Sequence, residues 1–308
     1  MTQAQKGICA EPNLHSLYLI FNVVDDEDEA IRTKLAYILE LFTHFDDEYY
    51  EAMVSGIIAI GAHYWHELYP GLIPQELAPF PDMHCEDRNA PVSPGDLFVQ
   101  IRADRLDVCH ALGVEICQLL KPHVDLVEEV RGFRYLDGRE LTGFMESVSN
   151  PKGMQKFAIA VVGDKDPDFA GGSYVHVQRY QINMQSWQLL HESTQEDIMG
   201  CSKSANVPFD TDEMADYSHA KRSHHSADNL EKIELLRHSM PFGDMSVQGS
   251  MFVSCASSPQ PFKKMLRSMI FGTEQGMYDR LLDYMNAQTG GAFFAPSVNF
   301  IKQHAKNQ

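Results

Sequence analysis

The stretch from Ser16 to Phe133 decides the fold. It reads SLYLIFNVV (16–24), DDEDEAIRTKLAYILELF (25–42), MVSGIIAIGA (53–62), DLFVQIRA (96–103), RLDVCHALGVEICQLL (105–120) and VDLVEEVRGF (124–133). Four of these runs are short and rich in Val, Ile, Leu and Phe, the composition that packs well on a pleated surface, and they predict strands. The two longer runs are amphipathic and predict helices, the first with acidic residues at 27–31 that suit the positive end of a helix dipole. Strand–helix–strand–strand–helix–strand is the order of a ferredoxin-like unit, an antiparallel sheet with two helices on one face.

The theme recurs after a loop at 136–155. The pieces are KFAIAVVG (156–163), GGSYVHVQRYQI (171–182), helical patches from MQSWQLL (184–190) to QEDIMG (195–200), IELLRHSM (233–240), SMFVSCAS (250–257), a helix at PQPFKKMLRSMIF (259–271) and GGAFFAPSV (290–298). A chain of 308 residues exceeds what one hydrophobic core usually organises. The expected fold class is therefore α+β, with two ferredoxin-like domains of antiparallel sheet at 1–135 and 136–308. PGLIPQELAPFP (70–81) predicts a surface connection. The segment 201–230 is poor in apolar residues and longer than most loops inside compact domains, which predicts a functional loop.

Composition narrows the function classes. Apolar residues make up 44% and charged residues 22%, the proportions of a globular protein with a real core. Twenty-five Lys and Arg face 43 Asp and Glu, and a net charge of −18 would repel a phosphate backbone, so nucleic acid is not an expected partner. No apolar run is long enough for a membrane helix, and the N-terminus lacks a basic region followed by an apolar stretch, so a soluble cytoplasmic protein is expected. The six cysteines include no C-x-x-C pair and read as reduced thiols. His63 and His66 in AHYWHELYP do not form the H-E-x-x-H pattern of a zinc site and read as surface or packing residues. The 15 methionines, among them Met240, Met245, Met251 and Met265, read as core filler.

Three separated pieces carry more specific information: RGFRYLDGRELTGFMESVSNPKG (131–153), DYSHAKR (216–222) with LLRHSMPFGD (235–244), and TGGAFFAPS (289–297). Together, in this order and at these distances, they resemble the bacterial dye-decolorising (DyP-type) heme peroxidases of the B-type branch. The resemblance covers most of the chain. It implies a heme b pocket in the C-terminal domain, with His219 as the proximal ligand of the iron, a role a neutral imidazole fills while leaving the opposite face open. Arg237 matches the distal arginine, whose fixed cation would stabilise negative charge developing on a leaving peroxide oxygen.

Glu146 departs from the family. The pattern G-x-x-D-G places an Asp above the iron as the acid-base group, whereas this chain reads Gly143-Phe144-Met145-Glu146-Ser147. A carboxylate survives, one methylene longer and without the following glycine. Glu can still shuttle a proton between peroxide oxygens if it comes within hydrogen-bond reach. Ser239 stands where relatives often carry Asn, and Asp283 in LLDYMNAQTGG is the choice for the acid that supports the proximal histidine through its second ring nitrogen. Cys201 replaces the arginine of a G-R-T-K run, which would weaken heme propionate anchoring. Asp137 reads as a turn residue, and His224 and His225 as solvated loop residues.

The resemblance implies a peroxidase that reduces hydrogen peroxide and oxidises a small-molecule electron donor, and it implies a homo-oligomer. A rival from another class is a heme or porphyrin binding and delivery protein with weakened acid-base chemistry. The chain stops eleven residues after Ser297, so cargo of an encapsulin shell is not expected.

Overall fold

The computed structural model describes residues 2–145, 150–210, 212–227 and 231–305. The first unit comprises β1 (His15–Val23), α1 (Asp28–Glu48), β2 (Ser55–Gly61), the short α2 (Trp65–Leu68), a hairpin of β3 (Met83–Cys85) and β4 (Arg88–Ala90), β5 (Leu97–Ala103), α3 (Leu106–Leu120) and β6 (Val124–Phe133). Its sheet runs β2-β5-β1-β6, antiparallel throughout. Alternate residues Leu17, Leu19 and Phe21 of β1 meet Ile31, Leu35 and Ile38 of α1 and Val108, Leu112 and Ile116 of α3, the period of two meeting the period of 3.6 that the sequence predicts.

The second unit comprises α4 (Gln155–Ala160), β7 (Ser173–Ile182), α5 (Met184–Gln188), α6 (Glu192–Met199), α7 (His219–His224), β8 (Leu236–Arg237), β9 (Met240–Gly243), β10 (Gln248–Ala256), α8 (Gln260–Phe271), β11 (Met285–Ala295) and α9 (Val298–His304). Its sheet runs β11-β7-β10-β9, the same order of first, second, third and fourth strand as in the first unit. The apolar run KFAIAVVG opens as the helix α4 and stands before this sheet. IELLRHSM is one run in the sequence but two strands in space. β8 and β9 lie end to end along one edge of β10.

The two sheets are joined at both edges. β11 pairs with β2 through Phe293↔Gly61 and Phe294↔Ile60, and β6 pairs with β9 through Gly132↔Phe242. The result is a closed antiparallel ring, which protects strand edges that separate sheets would leave open. Gly132 permits the second closure: a Cβ there would meet Met240 Cβ at 2.9 Å and the Tyr18 ring at 3.1 Å. Tyr18, Ile20, Ile57, Phe98, Val177, Met251, Val253 and Phe293 fill the ring. Outside it, α1 and α3 cover the first sheet, and Phe262, Met265, Leu266 and Met269 of α8 lie with Tyr180 and Phe252 of the second. Strands covered on both faces need apolar side chains on both, which is why β2 and β5 are buried at every position and read as continuous runs.

Candidate active site

α7 begins where Ser218 caps it, its hydroxyl accepting from the Lys221 N–H. The cap places His219 in the first turn. The ring Nδ1 of His219 lies 2.7 Å from Oδ2 of Asp279, a carboxylate that is 0% exposed. The other oxygen of Asp279 accepts from Leu281 N at 3.0 Å, Asp279 N donates to Met269 O at the end of α8, and Arg280 N donates to Tyr217 O. Asp279 is thus held at the junction of α8 and the loop before α7. An Nδ1–H donated to that carboxylate puts the imidazole lone pair on Nε2. Arg222, buried one turn further along α7, adds positive potential toward Asp279.

His219 and Arg237 line one cavity of about 410 Å³, with Phe144, Ile182, Phe252, Met265, Met269 and Leu281 supplying much of its apolar wall. Arg237 belongs to β8 and is only 7% exposed. Its Nη2 donates to Ser223 O at 2.9 Å and lies 3.7 Å from Met265 Sδ. Asn150 brackets the Arg237 backbone, donating to its carbonyl at 2.8 Å and accepting from its N–H at 3.0 Å. A side chain thereby acts as the strand partner that β8 lacks on that edge.

Glu146 lies outside the described residues. Both flanks of its segment are anchored: Met145 lines the cavity and donates its N–H to Asn206 Oδ1 at 2.9 Å, and Asn150 holds Arg237. Ser239 lines a different, more polar cavity beyond β8 rather than the one shared by His219 and Arg237. Asp283 does not support His219; its carboxylate accepts from Tyr278 Oη at 2.9 Å in an exposed pair. The 3-10 turn Arg280–Asp283 is the physical reason: it directs Asp279, its N-cap, inward and leaves Asp283 outside. A capping aspartate directly before R-L-L was the signal available for it.

His224 and His225 are likewise not solvated loop residues. Both line the cavity at the end of α7. Burial, aided by the charge of Arg237, pushes His224 down to about 3, and its Nδ1 lies 2.9 Å from Ala220 O. Cys201 also lines the cavity, where burial pushes its thiol up to about 11. The loop 201–230 carries Asn206, Phe209 and Met214 to the same wall. Asp137 pairs with Arg139 two residues on, at an exposed turn. His63 pairs with Asp96 at 2.7 Å away from the cavity. The methionines divide by environment: Met251 fills the ring, Met265 walls the cavity and Met245 is exposed.

Such an arrangement is of the cofactor-binding class: a half-buried histidine oriented by a buried carboxylate, and a fixed arginine, in one mostly apolar cavity beside a ferredoxin-like sheet. Residues 5–134 match the family described as Dyp-type peroxidase, N-terminal, and residues 137–300 match Dyp-type peroxidase, C-terminal; the chain belongs to the Dyp-type peroxidase family. Among solved structures it is similar to a dyp-type peroxidase protein of Shewanella oneidensis, 44% identical, with a TM-score of 0.96 over 100% of both chains. The encapsulated DyP-type peroxidase of Mycobacterium smegmatis is 31% identical, with a TM-score of 0.95 over 99% of both chains. A variant of DypB from Rhodococcus jostii RHA1, solved in complex with heme, is 33% identical, with a TM-score of 0.92 over 98% of this chain and 99% of that one.

Proposed function

We propose that this chain is a heme b peroxidase that reduces hydrogen peroxide and takes electrons from a small-molecule donor. The observation that carries the reading is the His219–Asp279 pair facing the same cavity as Arg237. The residues present fit heme. The wall is apolar, the cavity is of cofactor size, and the donor is an imidazole with its tautomer fixed by a carboxylate. His219 would hold the iron, and the walls from Phe144, Ile182 and Met269 would hold the ring. When bound, heme supplies the iron centre that exchanges electrons with peroxide and donor.

The chain's own residues do the rest. Asp279 orients His219 and raises the basicity of its Nε2. Arg237 presents a fixed cation where negative charge collects on the departing peroxide oxygen, and the surrounding apolar wall keeps that charge weakly screened. Glu146 takes the proton from one peroxide oxygen and returns it to the other. Retention of both His219 and Arg237 in one cavity argues for peroxide chemistry over a purely delivering role.

A cytoplasmic setting is part of the same proposal, supported by six cysteines that are all free thiols. No helix among the described residues is long and apolar enough to cross a membrane. Assembly with further copies of the chain is proposed from the family, and light scattering of the purified protein tests it. An encapsulated DyP-type peroxidase matches over 99% of both chains, so chain length does not separate this protein from shell cargo, contrary to the expectation from its C-terminus.

The test of the central reading is a hemin titration of wild type and His219→Ala, followed by peroxide consumption. One hemin per chain, a Soret band shifted and weakened in the variant, and peroxide turnover lost with it are expected. An unchanged spectrum in His219→Ala would remove His219 from the iron.

A further inference from the structure

A second cavity of about 430 Å³ lies on the far side of β8, where the two ferredoxin-like units meet. Its walls come from the residues before β1, the end of β5, the loop after β6, α4 and the turn between β8 and β9. Arg237 and Glu140 line both cavities, so β8 is the partition between them. Peroxide chemistry at His219 and Arg237 leaves this second cavity without a task.

Its charge is the reverse of the protein's. The chain carries −18 overall, yet six of the residues lining this cavity are Arg or Lys and two are carboxylates, Glu11 and Glu140. Lys156 is paired with Glu11 at 2.7 Å, and Arg139 with Asp137 at 2.9 Å. Arg102 is different. It projects from the end of β5 and is only 3% exposed, and among the described residues it forms no ion pair. Its Nη1 lies 2.8 Å from His238 Nδ1, and its Nε has no hydrogen-bond partner.

His238 cannot balance that charge. Its Nε2 lies 2.7 Å from the Ile8 carbonyl, which accepts and does not donate, so Nε2 carries the proton and Nδ1 is the acceptor for Arg102. The imidazole is therefore neutral. A buried guanidinium hydrogen-bonded to a neutral ring is costly, and burial of this kind is normally balanced by an anion. The missing anion has a place to sit, because Arg102 and His238 face a cavity whose other polar residues include Arg134, Lys152 and Ser239.

We propose that this cavity is a binding site for a small organic carboxylate, held by Arg102 with support from Arg134 and Lys152, beside the arginine of the peroxide site. Hydrogen peroxide is neutral near pH 7 and gains nothing from such a cluster, so the site is not needed for the oxidant. A carboxylate could be that of an oxidisable donor, which rests on the peroxidase reading, or of a bound anion that is not consumed. The chemistry of recognition is shared: a guanidinium fork matched to two carboxylate oxygens.

The experiment uses the heme-loaded protein and benzoate, which carries the carboxylate but no readily oxidised group. Calorimetry should show benzoate binding to wild type at low salt, weakened about tenfold or more in Arg102→Gln, the loss expected for a charge-assisted hydrogen bond. Arg134→Gln with Lys152→Gln, both outside the ring interior, guards against a folding defect in Arg102→Gln and should weaken binding in the same direction. No benzoate binding to folded wild type, or equal affinity in all three proteins, would overturn the proposal. Neither result depends on peroxidase activity, so they are separable from failure of the functional reading. The source is read from 4-hydroxybenzoate and neutral guaiacol as donors. A KM that rises in the variants for 4-hydroxybenzoate alone assigns the site to the donor, and a KM that is unmoved while benzoate binding is lost assigns it to an unconsumed anion.

Discussion

Asp279→Asn changes a single heavy atom of the pair that orients His219, the proposed iron ligand. In the native protein the two carboxylate oxygens are both used, Oδ2 by His219 Nδ1 at 2.7 Å and Oδ1 by Leu281 N at 3.0 Å. An amide keeps one acceptor and turns the other into a donor. If the oxygen stays on Leu281, the NH₂ faces His219 Nδ1 and favours the tautomer protonated at Nε2, the nitrogen needed for iron. If the amide flips, the NH₂ meets the Leu281 N–H, and one donor in a fully buried site is left without an acceptor. Either way a charge-assisted hydrogen bond worth about 1.5–3 kcal/mol is lost, and supporting partners of this kind typically affect metal affinity about 10–100-fold. Hemin affinity, measured by competition with an apo-globin, should fall by roughly that factor. Loss of anionic support destabilises ferric more than ferrous iron, so the midpoint potential should rise, by up to roughly 60–120 mV if the whole effect falls on the ferric state. Unchanged affinity together with an unchanged potential would refute the claim that Asp279 acts on the iron through His219.

Arg237→Leu should slow the peroxide step about 10²–10³-fold, the usual cost of removing a fixed charge-stabilising donor, while hemin affinity changes little; stopped-flow absorbance with one equivalent of peroxide reads both. Glu146→Gln should abolish peroxide turnover, whereas Glu146→Asp with Ser147→Gly should accelerate it; a Glu146→Gln protein as fast as native would mean the proton moves by another route. Stability should fall in mild acid because burial pushes His176 and His238 from 6.5 down to about 3. Below about 6.5 the unfolded chain binds protons that the native protein excludes, so this stability is complete above about 6.5 and is lost as pH falls toward about 3. Each histidine then contributes a loss of about 1.4 kcal/mol per pH unit, roughly 4 kcal/mol for the pair at pH 5; urea denaturation at pH 7 and pH 5 measures it, and equal midpoints would contradict the assignment.

Local pattern carried much of this structure. Ser16–Phe133 specifies its strands and helices through periodicity, because each element there buries a face against its sequence neighbours. His219 and Arg237 stand out in the sequence because their surroundings, SHAKR and LLRHSMPFG, match a family pattern, and the fold brings the two to one cavity. What was not legible depends on contacts between distant residues. Asp279 reaches His219 across 60 positions, and its place before R-L-L marks it as a cap without pointing to a histidine that far away in the chain. The burial of His224 follows from α8 packing against α7, not from the polar string SHHS in which it sits. Closure of the ring rests on a few register pairs, Gly132↔Phe242 among them, which no propensity encodes.

That closure makes a site carried by the second unit depend on the first. The Arg237 backbone is held from one side by Asn150 and continues into His238, whose N–H donates to Val253 O, whose carbonyl accepts from Tyr18 Oη, and whose ring bridges Ile8 and Arg102. Tyr18 and Arg102 come from β1 and β5. The residue after Arg237 is thus clamped by strands of the other sheet, and the β6–β9 pair at Gly132 fixes the strand that follows. Packed interiors do not deform continuously, so the position of the arginine is set by the fit between the two units as much as by its own strand. The same junction creates the polar cavity: the N-terminal sheet ends in a cation that it cannot neutralise itself, and it ends there facing the strand that carries Arg237.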